Sequence, residues 1–76
     1  MAATCPQIGD LVIRYPHRAV TVFIVSVCGA SQRITSATYS EALTLARRVA
    51  KPMHADVWYT HDGDNFTFVQ SYRQPV

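Results

Sequence analysis

The run Val20-Thr21-Val22-Phe23-Ile24-Val25-Ser26-Val27-Cys28 limits the fold more than any other stretch. β-Branched and aromatic residues dominate it, which marks a strand. Alternation puts Val20, Val22, Ile24, Ser26 and Cys28 on one face and Thr21, Phe23, Val25 and Val27 on the other. Both faces are largely apolar, the pattern of a strand covered on both sides rather than wetted on one. The chain has 76 residues, room for a single domain. Hydrophobic residues make up 49% and charged residues 16%, so the chain is too apolar to stay disordered.

A single segment reads as helix. Thr38-Tyr39-Ser40-Glu41 fits a T-x-x-E capping box, and good helix formers follow up to Ala50. Tyr39, Ala42, Leu43, Ala46, Val49 and Ala50 fall on one stripe, with Thr44, Arg47, Arg48 and Lys51 away from it. Pro52 disfavours helical geometry in the residue before it, so the helix is predicted over Thr38 to Lys51. Further strands are predicted at Leu11–Tyr15, interrupted by Pro16-His17, at Asp56–Thr60 and at Phe66–Tyr72, with a short one at Arg33–Ala37. Gly29-Ala30-Ser31 and His61-Asp62-Gly63-Asp64-Asn65 read as turns. The order β-β-(β)-α-β-β predicts an α+β fold: a four- or five-stranded antiparallel sheet with one α-helix on one face. Residues 1–9 read as a flexible lead-in, 10–73 as the domain and 74–76 as a tail.

Thr38, Glu41, Ala42, Ala46 and Arg47, followed by His61, Asp62 and Gly63, resemble the pattern of a small bacterial family of uncharacterised proteins. In that family two strands precede a helix opened by T-x-x-E-A, and a strand, an Asp-Gly turn and a last strand follow. The likeness covers the C-terminal half. The first half departs, being apolar where the family is Gly-rich and polar. The resemblance implies a topology and no activity. The same element order looks like that of small phage-encoded inhibitor proteins, an analogy of fold alone.

The charge is 7 − 5 = +2, weak for a dedicated nucleic-acid binder. No basic n-region or long apolar stretch opens the chain, and Ala19–Ala30 is too short to span a bilayer as a helix. The expectation is therefore a cytoplasmic protein with Cys5 and Cys28 reduced. Cys5, His17, Cys28, His54 and His61 are scattered singly, without the paired spacings of a zinc site. The 61–65 stretch lacks the further oxygen ligands and the closing Glu of a calcium loop. A Cys28–His pair would be the enzyme reading, but a thiol ending an apolar strand is inert when buried. No nucleotide-binding motif is present. No catalytic residue, metal, cofactor or small-molecule substrate is expected.

What remains is a surface. If Val57, Tyr59, Phe66 and Phe68 lie under the helix, then Trp58, Thr67 and Val69, with Phe23 or Ile24, point to the uncovered face. Trp58, Phe23 and Val69, with Arg47, Arg48 and Lys51, are the candidate interaction residues. The expected function is a non-catalytic protein-interaction module, self-associating as a homodimer through the sheet. The alternatives are a weakly basic nucleic-acid binder, using Arg14 and Arg33 as well and stacking on Trp58 or Tyr59, and an inhibitor of phage type that binds a host complex.

Overall fold

The computed structural model describes residues 5–17 and 21–73. Strands β1 (Leu11–Arg14), β2 (Phe23–Val27) and β3 (Arg33–Ser36) precede helix α1 (Tyr39–Met53), and β4 (Asp56–Thr60) and β5 (Phe66–Ser71) follow. They form one five-stranded sheet in the order β3-β2-β1-β4-β5, with the helix packed on one face. The α+β class, the order and the single helix are as expected. The start of the long apolar run, through Val20, and the tail at 74–76 lie outside the described residues.

One pairing differs. β1 and β4 run parallel, so the sheet is mixed rather than antiparallel throughout. With three antiparallel strands before it, β3 runs in the direction of β1. A helix laid back along the sheet returns the chain to the starting end, so β4 repeats that direction and joins β1 in parallel.

The core follows from the alternation. Leu11, Ile13, Val25 and Val57 are buried against Ala42, Ala46, Ala50 and Ala55, with Phe23, Tyr39, Leu43, Val49, Tyr59 and Val69 packed around them. Alanine at every fourth helical position lets the helix backbone approach the sheet closely. The expected stripe is thus the buried face.

Thr38 has extended backbone angles, and its hydroxyl accepts the Glu41 amide at 3.2 Å. The return bond from the Glu41 carboxylate, the other half of the expected box, is not among the hydrogen bonds of the described residues. The helix runs two residues beyond the predicted end: Pro52 sits inside its last turn, where the chain stays helical up to Met53. Closure comes at His54, which adopts φ 53°. The His54 amide donates to the Lys51 carbonyl at 3.3 Å and the Ala55 amide to the Ala50 carbonyl at 3.1 Å, the paired bonds of a Schellman motif.

The end of the lead-in is anchored, not loose. The Gly9 amide donates to the Cys28 carbonyl at 3.0 Å, the Asp10 amide to the Gln7 carbonyl at 2.9 Å, and the Gln7 amide to the Asp10 carboxylate at 3.0 Å.

The left-handed His54 generates the first prediction. A Cβ in that conformation is unfavourable by about 1–2 kcal/mol, and glycine removes it. Allowing for the freer unfolded chain, His54→Gly is expected to stabilise the domain by about 0.5–1 kcal/mol and raise the melting temperature by a few degrees. A lowered melting temperature would mean that the imidazole contributes more than its backbone strain removes.

Candidate functional site

The pairing registers place every side chain on one face or the other, since directly paired residues share a face. Away from the helix, one row across the sheet reads Thr35, Ile24, Arg14, Thr60, Phe66. The next reads Arg33, Ser26, Val12, Trp58, Phe68. A groove of about 720 Å³ crosses this uncovered face, with Val12, Ile24, Ser26 and Phe66 along it, Arg14, Arg33 and His17 around it, and Cys5 and Cys28 towards one end. Both cysteines are free thiols. Among the described residues no carboxylate lines the groove.

Arg14 is seated on the β4–β5 turn. Gly63 has φ +85°, and a Cβ there would come within 3.1 Å of the Arg14 Nη1. The turn that follows Thr60 is closed from within. The Asp62 carboxylate accepts the backbone amides of Asp64 and Asn65 and the Asn65 side-chain amide, each at 2.8 Å. The Thr60 hydroxyl donates to the Asn65 carbonyl at 2.7 Å and accepts the Gly63 amide at 2.9 Å. These oxygens face the chain's own N–H groups, the arrangement of a tight turn rather than of an ion site. The same bonds, Asn65 first and then Asp64, hold the Asp62 carboxyl well below the usual carboxylate range. Among the described residues no group of three or more His, Cys, Asp or Glu side chains comes together to hold a metal.

The carboxylates elsewhere on this side are engaged. Asp10, 1% exposed, accepts four donors: the Gln7 and Asp56 amides, the Trp58 indole N–H at 3.2 Å and the Arg73 guanidinium at 2.7 Å. Arg73 also pairs with Asp56 at 3.1 Å. Hydrogen bonding to Asp56, with the charges of Asp10 and Asp56, raises the Arg73 pKa further above its ordinary value.

Of the residues expected to interact, the structure brings few together. Trp58 is on the uncovered face, as expected, but only 4% exposed: Asp10 fixes its N–H, and Phe68 packs edge-on with ring centres 5.5 Å apart. Phe23 and Val69 lie on the helix side, against the core. Phe66 and Phe68 lie on the uncovered side instead of under the helix, because the β4–β5 turn pairs Thr60 with Phe66, and Thr67 moves to the helix side opposite Tyr59. Val69 follows Thr67 to the helix side, and a bulge opposite Val57/Trp58 turns Gln70 there too, where Arg47 donates to its side chain at 2.9 Å. Arg47, Arg48 and Lys51 are exposed on the helix, on the other side of the sheet from Trp58. The stacking residues of the nucleic-acid alternative are engaged as well. Tyr59 packs under the helix in an aromatic group with Tyr15, Tyr39 and His61. Burial first, then the neighbouring tyrosines, raises the Tyr15 pKa. The signal for Arg14 beside Val12 was the strict alternation of β1. The joining of Arg14 to Ile24 and Phe66 required the strand order.

No helix among the described residues is long and apolar enough to cross a membrane. Comparison with family models, curated proteins and solved structures gave no match.

Two predictions follow from these contacts. Trp58→Phe keeps a ring in place but removes the donor to Asp10, and is expected to destabilise the folded chain by about 2 kcal/mol, read by urea denaturation followed by circular dichroism. Trp58→Ala, which empties a buried site, is expected to lose about 3–5 kcal/mol. A fully stable Trp58→Ala chain would place the indole outside the core.

Asp62 sets a pH dependence. Its carboxyl is depressed in the folded chain and ordinary, near about 3.9, in the unfolded one. Its contribution is therefore present above that ordinary value and lost as the pH falls through the folded value. The difference in melting temperature between the parent chain and Asp62→Asn is expected to be constant above about pH 5 and to shrink in strong acid. A difference that stays constant down to acid unfolding would show that the charge does not hold the turn.

Proposed function

We propose that this chain is a small non-catalytic protein-interaction module and that its uncovered sheet face is the surface it works with. One observation carries the reading: a five-stranded sheet has its single helix on one side, while a groove of about 720 Å³ with an apolar floor crosses the other. Apolar surface left open on a small domain is characteristic of partner sites. A flanking pair of arginines adds the residue type most often enriched at such contacts.

A second copy seated face to face would oppose Arg14 and Arg33 to their own counterparts. Self-association in this reading runs instead through the outer edge of β3, which is hydrogen-bonded to β2 on one side only. Free strand edges pair readily with other strands.

The reading is tested by selecting binders from a random peptide library on the immobilised full chain and mapping them by amide NMR shifts. Binders that perturb Val12, Ile24 and Ser26, and that are lost with Ile24→Asp, are expected. Selected peptides that map to the helix surface, or a selection that yields none, would sink the open-face module. Sedimentation over a concentration series tests the edge. Dimer that persists unchanged in Thr35→Pro, which cannot continue a ladder, would rule out β3 as the contact.

A further inference from the structure

The charge around the groove narrows the kind of partner, and this step rests on the open-face reading above. The two carboxylates on the same side of the sheet, Asp10 and Asp56, are both paired with Arg73. Arg14 and Arg33 are exposed and make no ion pair or side-chain hydrogen bond among the described residues. Among the described residues the groove thus presents two guanidinium groups without an ion pair across an apolar floor, with no carboxylate in its lining. Guanidinium groups are matched in shape and charge by carboxylates, which they can hold with two parallel hydrogen bonds.

Their spacing follows from the sheet. Arg33 is on β3 and Arg14 on β1, with β2 between them. Arg14 is in register with Ile24 and Arg33 with Ser26, so the two positions are offset by one two-residue step. Two strand spacings sideways and one such step along give about 12 Å between their backbones. In an extended peptide, residues four apart lie on the same side, about 13 Å apart, and the residue midway points the same way. That middle residue would sit over β2, at Ile24 and Ser26.

We infer that the open face takes an extended acidic segment of a different polypeptide, of the form acidic-x-apolar-x-acidic, with its two carboxylates on Arg14 and Arg33 and its central apolar side chain on Ile24. The chain itself carries no such spacing: its acidic residues are Asp10, Glu41, Asp56, Asp62 and Asp64. A nucleic acid fits less well: Trp58 is locked against Asp10, Tyr59 lies under the helix and the exposed Phe68 is outside the groove lining, which leaves Phe66 as the stacking ring beside the two arginines.

The test is titration of the isotopically labelled full chain with a capped peptide containing Glu-Ser-Leu-Ser-Glu, its Lys-Ser-Leu-Ser-Lys counterpart, and a short oligothymidine. Saturable shifts at the Arg14, Ile24, Ser26 and Arg33 amides are expected with the glutamate peptide, at least about tenfold weaker with the lysine one. Arg14→Gln and Arg33→Gln should each weaken binding about threefold and together about tenfold. Arg47→Gln, on the helix, should leave it unchanged. Because Arg14 leans on the Gly63 turn, the exposed Arg33→Gln stands as an independent arm. Equal binding of the two peptides, indifference to Arg33→Gln, or tighter binding of the oligothymidine would overturn the inference. Selected peptides that bind the open face but carry no carboxylates would overturn it while leaving the module intact.

Discussion

The Asp10 carboxylate is the contact on which the rest of this small sheet depends. A carboxylate 1% exposed is tolerable only if its oxygens are met by donors, and four meet it. The donors come from three parts of the chain: Gln7 before β1, the Asp56 amide and Trp58 ring of β4, and Arg73 after β5. One side chain thereby ties the two ends of the described domain to its central parallel pair. The parallel pairing of β1 with β4 is the joint between the N-terminal meander and the C-terminal hairpin. Asp10 fastens that joint at one end, and the Tyr15 amide, donating to the Thr60 carbonyl at 3.0 Å, fastens it at the other.

This same contact decides what Trp58 is for. An indole on the uncovered face of a sheet is an obvious anchor for a partner. Here its N–H is spent on Asp10 and its ring on Phe68, so it is a wall of the domain instead. The face keeps its apolar character through smaller residues, Val12 and Ile24, and through Phe66. In the proposed reading, such a surface offers contact area through these residues and the exposed Phe68, and its flanking charges would help to choose the partner.

Much of the fold was legible because the signals were local. The alternation of Val20 to Cys28, the Thr38 cap, the alanine-rich stripe and the Asp-Gly turn each name an element from a few adjacent residues. What escaped depended on relations between elements. The parallel pair comes from the parity of strands before the helix. Phe66 and Phe68 changed faces because the turn sets Thr60 against Phe66, which carries Thr67 and Val69 to the helix side by alternation, and Gln70 joins them through a bulge that no alternation announces. Asp10 reads in sequence as an ordinary polar residue before a strand. Its burial is visible only once Trp58 and Arg73, distant in sequence, converge on it. The candidate site suffered most, since a one-residue shift exchanges the two faces of a strand.

The division of charge across the sheet follows from these placements. Arg73 engages both carboxylates near the Asp10 corner, and the Asp62 carboxylate is turned into its own loop. With those three anions occupied and Glu41 and Asp64 exposed, the net charge of +2 is unevenly spread: Arg14 and Arg33 lie on the groove, and Arg47, Arg48 and Lys51 on the opposite, helical side. The helical group lies on exposed turns, where solvent and salt screen it. The groove pair flanks buried and half-buried side chains, and a ligand seated there would exclude water from both ion pairs at once, strengthening each. The helix has more positive charge, but the groove is where charge and apolar contact can act on the same partner.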